Sequence, residues 1–425
     1  MCLRFAIAFI FIKICGLGLV YSADAQTTSS NDTLVINVKQ AEDQFLKNNL
    51  SLIAQRYNID NASAQIITAR LFANPNFSFS NGIYATGVSN PYSEQTYGLS
   101  QLFTTAGKRN KNIQLAKINV EQAKYQFFDL LRTLKFTLRN DFYTIYFQEQ
   151  SAKVYNQEIN SLAKTLTVFK QQYTQGNIAE KEVLRIQSQL YSLQVEYNTL
   201  QTNIDTVQSE FKLLIKASPQ VYVQPQVDTI NNQDIATTVP YQRLLDSAYV
   251  NRYDLRLAQT AVDYNTLNFK LQKATAIPDV SVSLNYDKLA AYGQNFLGGG
   301  VSFDLPFFNR NQGGIKQARI AIDQSKIQFQ SQQDQVQSDV AVNYKSAIRL
   351  QQLYNSFDPT FKQNFNHLIQ EVFKNYQMRN ISLLEFLDFY DSYKTNVLQL
   401  NNLELSRVTS LEQLNYVTGT PFFNQ

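Results

Sequence analysis

Two stretches of the chain repeat each other at a fixed separation, and that duplication limits the folds open to it. "YTQGNIAEKEVL", from Tyr173, aligns with "YQMRNISLLEFL", from Tyr376, matching Asn177 to Asn380, Ile178 to Ile381, Glu182 to Glu385 and Leu184 to Leu387 at one offset, 376 minus 173, or 203. The same offset carries Pro75 in "ANPNFSFS" onto Pro278 in "AIPDVSVS", and "KASP" falls opposite "TGTP" near the C-terminus. Self-similarity of this kind means one structural plan used twice. The units read as residues 26–217 and 241–425, joined by a Pro-, Gln- and Asn-rich linker over 218–240.

Within each unit the spacing of apolar residues changes twice. A first helical stretch, Val38 to Phe72, gives way at the proline to strict alternation: Phe77 and Phe79 against Ser78 and Ser80, then Tyr97, Leu99 and Phe103 against Thr96, Gly98 and Ser100. The second unit repeats this with Val280, Val282, Leu284 and Tyr286, then Leu297, Val301, Phe303 and Leu305. Period-two alternation gives each strand one apolar face and one small or polar face. The hairpins span 76–103 and 279–305, and strands of about nine residues are long enough to cross a membrane. Alternation alone equally describes a hairpin with one buried face. Aromatics near the strand ends (Tyr84, Tyr92, Tyr286, Tyr292, Phe296, Phe307 and Phe308) favour the membrane, because such residues collect at its interfaces.

Each hairpin leads into a long helical stretch, from Ile113 to about Tyr173 in the first unit, followed by a short break and a second helix. In that second helix Val183, Ile186, Leu190, Leu193, Tyr197, Leu200, Ile204, Val207, Phe211 and Leu214 recur at alternating steps of three and four, a heptad seam. The matching seam, Phe386, Phe389, Tyr393, Leu400, Leu403, Leu414 and Val417, is interrupted at Asn396, Arg407 and Ser410. A helix of about 60 residues extends roughly 90 Å, far beyond a globular domain. Such helices pack side by side in a rod or a tube.

The first 25 residues read as a secretory signal peptide, with Arg4, an apolar run from Phe5 to Val20, and Ala23 and Ala25 at cleavage spacing. Lys13 argues against a retained membrane helix, and the residues before Cys15 are not the small ones that a lipidation signal wants. Cys2 and Cys15 both lie in this segment, so neither disulfides nor cysteine-bound metal is expected in the mature chain. No later apolar run is long enough for a transmembrane helix. A formal net charge of +4 over 425 residues is too small and dispersed for nucleic-acid binding. An enzyme is not expected. The pattern ending in Gly107 and Lys108 has Leu102 where a phosphate-binding loop needs glycine, and there is no HExxH or GxSxG motif. His367 is the one histidine, and metal sites need several converging ligands, so no metal site and no cofactor are expected.

Four membrane strands cannot close a barrel, and an open edge in lipid leaves backbone groups unpaired at several kcal/mol each. Chains must pool their strands, and three would supply twelve. The expected fold is mainly α with a membrane β part: long antiparallel helical hairpins forming an α-barrel, and four β-strands per chain contributing to a trimeric 12-stranded transmembrane β-barrel. A coiled-coil stalk or adhesin shares the heptads but has no reason to place such a hairpin in each repeat. In its duplicated plan and its "Y..G.....E.L" turn the whole mature sequence resembles the TolC-like outer-membrane efflux proteins. "AGKRNKNIQLA" and "LPFFNRNQGGIKQA" look more specifically like the heavy-metal cation efflux branch of CzcC and CusC type.

That resemblance implies a homotrimeric, passive duct in the bacterial outer membrane, with its helices in the periplasm. The duct would dock on a periplasmic adaptor (membrane fusion) protein and a proton-driven inner-membrane pump of the RND type. Heavy-metal cations are the implied cargo, with drug export or type I protein secretion the alternatives within the family. By position, the adaptor-contacting tips lie near 174–180 and 377–383, at Gln175, Gly176, Asn177, Ile178 and Ala179 and at Met378, Arg379, Asn380, Ile381 and Ser382. Arg379 stands where the first unit has Gly176, a departure from the pattern that leaves the exact geometry of the second turn open. The resemblance makes Glu182, Glu385 and Asp388 the periplasmic gate, as rings of acids that favour cations. An acid in the first turn of a helix is equally what the macrodipole favours. The barrel-to-helix joints are expected at Gly107, Lys108 and Arg109 and at Pro306, Asn309, Arg310, Gly313 and Gly314, with the paired glycines turning the backbone from sheet to helix.

Overall fold

The computed structural model describes residues 33–82, 95–227, 239–290, 293–358, 360, 368–369, 371–376, 378 and 380–423. The signal segment, residues 228–238, Tyr84, Tyr92, Tyr292, His367 and Arg379 lie outside the described residues. The chain opens with β1 (Thr33–Ile36), α1 (Val38–Asn48) and α2 (Leu50–Arg70). The single helix expected over this stretch is broken at Asn49. Its backbone leaves the helical region, its side chain accepts from Leu52 N (3.0 Å) to cap α2, and its Nδ2 donates to Leu214 O at 3.0 Å. The same break recurs 203 residues on at Arg252, between α5 (Tyr241–Asn251) and α6 (Tyr253–Thr275). There the buried side chain is an ion-pair hub, with Asp254 at 2.6 Å and Asp339 at 2.8 Å.

The long helices are α3 (Lys108–Thr174, 67 residues), α4 (Glu180–Ile215), α7 (Gln312–Ser356) and α8 (Leu383–Thr418). At 1.5 Å per residue α3 is about 100 Å long. The α4 seam is buried at Val183, Ile186, Leu190, Leu193, Ile204 and Phe211 and half-buried at Tyr197, Leu200, Val207 and Leu214. Helices α4 and α8 end alike, at Lys216 (φ 55°) and Gly419 (φ 69°), again 203 apart. Part of the expected linker is structured. Residues Tyr222–Pro225 form β4, parallel to β1, and Gln208 holds Val223 by both its backbone groups, at 2.5 and 3.0 Å.

The α8 seam departs from the expected one. Phe389 is 42% exposed and Tyr390 takes the buried place, while Lys394, Asn401, Arg407 and Glu412 are buried among the apolar residues. These polar groups join the repeats. Arg139 on α3 pairs with Glu42 on α1 (2.6 Å) and Glu412 on α8 (2.9 Å). Lys394 pairs with Glu196 on α4 and Asp391, each at 3.1 Å. Beside it Glu158 is 2% exposed, and neither carboxylate oxygen has a hydrogen-bond partner among the described residues.

The membrane-type strands form one antiparallel sheet in the order β2 (Asn76–Asn81), β3 (Gln95–Phe103), β5 (Val280–Ala290), β6 (Gly293–Phe303). The central pairing of β3 with β5 joins the two repeats. Register puts Phe79, Tyr97, Tyr286 and Leu297 in one row and Phe77, Leu99 and Leu284 in the next. One face is therefore apolar across all four strands, and Phe77, Leu99, Leu284 and Leu297 on it are exposed. The other face is mostly serine, threonine, asparagine and glycine. Strand β6 stops at Phe303, so Leu305 lies beyond it.

Burial pushes the Glu158 carboxyl up to about 8; Lys394 pulls it down, and Asp391 and Glu196 push it further up. Its ordinary value is 4.5, so the native chain holds this proton more tightly than the unfolded one. Stability therefore falls as pH rises from about 4.5 through about 8. Glu158→Gln is expected to remove that slope, raising stability above pH 8 by up to about 5 kcal/mol and leaving it unchanged below pH 4. Helix melting followed by circular dichroism at both pH values checks this.

Candidate functional site

The end of the helical part is built from two short turns. After α3, Gln175 is followed by Gly176 at φ 75°, and Asn177 N reaches back to Gln172 O at 3.0 Å. This six-to-one bond closes the helix, and the left-handed position favours glycine. In the second turn Asn380 N donates to Asn375 O at 2.9 Å, the same bond 203 residues on, despite Arg379 at the glycine position. The second turn, whose geometry the sequence left open, shares this closing bond. Beneath them one apolar cluster draws on both repeats: Phe169, Val183 and Ile186 from the first, Val372, Phe386 and Tyr390 from the second, with Ile178 and Ile381 packed on it. Tyr376 stacks on Phe386 at 4.5 Å between ring centres. The two tips therefore stand side by side, with Met378 exposed.

The three acids expected at this end have different surroundings. Glu385 closes a capping box: Ser382 N and Oγ donate to its carboxylate, both at 2.8 Å, and Glu385 N donates to Ser382 Oγ at 3.2 Å. Those bonds hold its carboxyl below the usual range. Ser382 followed three residues later by Glu385 is the motif that could have announced the box in the sequence. The half-buried Glu182 follows Ala179, which has no capping side chain. Burial, with the charge of Glu182 adding to it, pushes the Tyr376 phenol up. Asp388 is exposed. The buried Glu158 and Lys394, with Glu196 and the exposed Asp391 at their edge, went unforeseen, the one signal being Lys394 four residues after Tyr390 on the buried face of α8.

At the other end of the helices the joints to the sheet are unlike each other. Gly107 has φ 66° and does turn the chain. Lys108 donates to Ile277 O (2.6 Å) and Asp279 (2.8 Å), and Thr105 also donates to Asp279, pinning the first joint to the second repeat. Arg109 donates to Arg70 O at 3.0 Å and lies over the Phe72 ring at 4.0 Å. In the second joint the turning residue is Asn311, at φ 55°, held by two bonds to Gln272. Asn309 and Arg310 brace that turn, through Asn311 N to Asn309 Oδ1 (3.0 Å) and Arg310 Nε to Pro306 O (3.2 Å). Gly313 and Gly314 are already inside α7, which corrects the expectation that they make the turn. Gly314 leaves room for the Asn311 and Gln272 side chains, whereas a Cβ on Gly313 would meet nothing within 4 Å.

A family profile described as "Outer membrane efflux protein" matches residues 42–215 and 244–420. The chain belongs to the outer membrane efflux protein family. Its fold is similar to the Campylobacter jejuni CmeC outer membrane channel, with a TM-score of 0.76 at 15% identity over 91% of this chain and 86% of that one. It is also similar to VceC of Vibrio cholerae (TM-score 0.73, 16% identity, 91% and 97% covered) and to CusC (0.72, 17%, 91% and 94%). No curated protein sequence matches. Family and fold are those of outer membrane channels, not of enzymes. Among the described residues of this efflux protein no helix is long and apolar enough to cross a membrane, and no group of three or more His, Cys, Asp or Glu could hold a metal ion.

The two glycines of α7 should respond in opposite directions. Gly313→Ala is expected to be neutral or to stabilise by up to about 1 kcal/mol, the ordinary gain of alanine in a helix. Gly314→Ala is expected to lower the melting temperature, because its methyl would collide with Asn311 and Gln272. Thermal melts of both variants check the assignment of Asn311 as the turning residue.

Proposed function

We propose that three copies of this outer membrane efflux protein close a 12-stranded barrel in the outer membrane and a helical tunnel below it, forming a passive duct. The observation that carries this reading is the four-stranded sheet, with one exposed apolar face, one small polar face and two strands, β2 and β6, paired on one side only. In lipid both edges must find partners, and β6 of one copy against β2 of the next supplies them. Helix α3 carries the tunnel about 100 Å from the joint to the tip. Reconstituted protein should insert as trimers that conduct across planar bilayers. Leu284→Lys, a charge on the lipid face, should abolish insertion, and retained insertion would sink the reading.

The paired turns around Gly176 and Asn380 are the surface for a periplasmic adaptor, with an RND-type inner-membrane pump beyond it. Their exposure at the free end of the hairpins supports this. Glu182, Glu385 and Asp388 from three copies form the acidic entrance. Wild-type conductance and cation preference in both Glu385→Ala and Asp388→Ala proteins would remove these two acids from the gate. Heavy-metal cations are the cargo we favour, on the resemblance of the two joint sequences to the metal branch. A deletion strain is expected to gain sensitivity to divalent or monovalent metals in a growth panel that includes dyes and antibiotics. Sensitivity to drugs alone would overturn the metal assignment and leave the duct standing.

A further inference from the structure

The polar face of the sheet is almost free of charge. Among the described strand residues on that face, Asp287 is the one that ionises; the rest are chiefly serine, threonine, asparagine and glycine. It sits near the end of the hairpin away from the helices, about 24 Å along β5 from Val280 at 3.4 Å per residue. Its row is Ser80, Thr96, Asp287 and Phe296. Asp287 accepts one bond, from Leu289 N at 3.0 Å, and makes no ion pair with a described residue. The neighbouring Lys288 falls on the opposite face by strand alternation. The Phe296 ring folds back along the wall over Gly298, where a Cβ would meet it at 2.9 Å. The aromatic therefore lies against the wall, over the next row toward the helices, that of Asn285 and Gly298.

We propose that Asp287 makes the outer mouth of the duct cation-selective, as a ring of three carboxylates separate from the acids at the periplasmic tip. This rests on the trimeric barrel reading, which turns the polar face inward. Twelve strands about 4.8 Å apart and tilted about 40° give a backbone radius of about 12 Å, which places each carboxylate about 10 Å from the axis. That distance equals the screening length at 0.1 M salt, which is about 10 Å, and exceeds the 3 Å at 1 M. Three charges at that range raise the cation concentration on the axis about twofold and lower that of anions about as much, so the permeability ratio rises about fourfold at 0.1 M. At 1 M the effect almost vanishes.

The test is the reversal potential of single channels in potassium chloride gradients. It uses a protein whose tip acids are neutralised (Glu182→Gln, Glu385→Gln, Asp388→Asn), with and without Asp287→Asn. Cation preference is expected to persist in the tip-neutral protein at low salt, to fall about fourfold with Asp287→Asn, and to differ little at 1 M. Equal conductance at 1 M shows that the Asp287→Asn barrel is intact. Should that variant fail to insert, Asn285→Lys, which places a cation on the same wall, is expected to abolish the preference. Loss of preference in the tip-neutral protein with Asp287 present, or preference unchanged by Asp287→Asn or Asn285→Lys, overturns the proposal and leaves the duct intact. A wild-type protein that forms no pore removes the duct reading itself.

Discussion

Every backbone group in a sheet needs a partner, and the rest of this structure depends on how the four strands meet that demand. The inner pairings are complete: β2 with β3, β3 with β5 across the two repeats, and β5 with β6. The outer edges of β2 and β6 are left over, on a sheet whose exposed face carries Phe77, Leu99, Leu284 and Leu297. In water such an edge invites aggregation, and in lipid it is untenable. In the proposed duct, pairing edge to edge with further copies satisfies the backbone and gives the apolar face a place in the membrane. In that duct α3 and α7, which follow the sheet directly at the two joints, inherit its arrangement.

The duplication explains both the sameness and the differences of the halves. Breaks at Asn49 and Arg252, left-handed ends at Lys216 and Gly419, and the closing bonds of the two tips all recur at one offset. The chemistry at matched places differs. Asn49 works as a helix cap, where Arg252 works as a hub of ion pairs. The joints differ in the same way, Gly107 turning one and Asn311 the other. Backbone geometry has been kept while the side chains that enforce it have changed.

Much of the fold was legible because it is written in local periods. The hairpin strands and the α4 seam follow from alternation and heptads, since a buried face must repeat with the element that carries it. The break at Asn49 was not legible, because neither proline nor glycine marks it and its partner, Leu214, lies 165 residues away. The α8 seam misled at Phe389, since Tyr390 and Lys394 turn inward to meet partners on α3 and α4. At the tip, sequence placed Glu182 and Glu385 in equivalent positions. Ser382, where the first unit has Ala179, was the signal in the sequence that Glu385 caps its helix, while the place of Glu182 beside Tyr376 depended on the fold.

The sequence by itself determined the twofold plan, the strands with one apolar face, the long helices and the membership of an outer membrane channel family, because each is a repeating or locally spaced pattern. Tertiary structure decided which polar residues are buried between the repeats, that β4 joins β1, and that Asn311 turns the second joint. It also decided that Asp287 stands as the one charged group on the polar wall of the described strands. These depend on which distant segments come together, and register between strands and helices far apart in the chain sets that, not spacing along it.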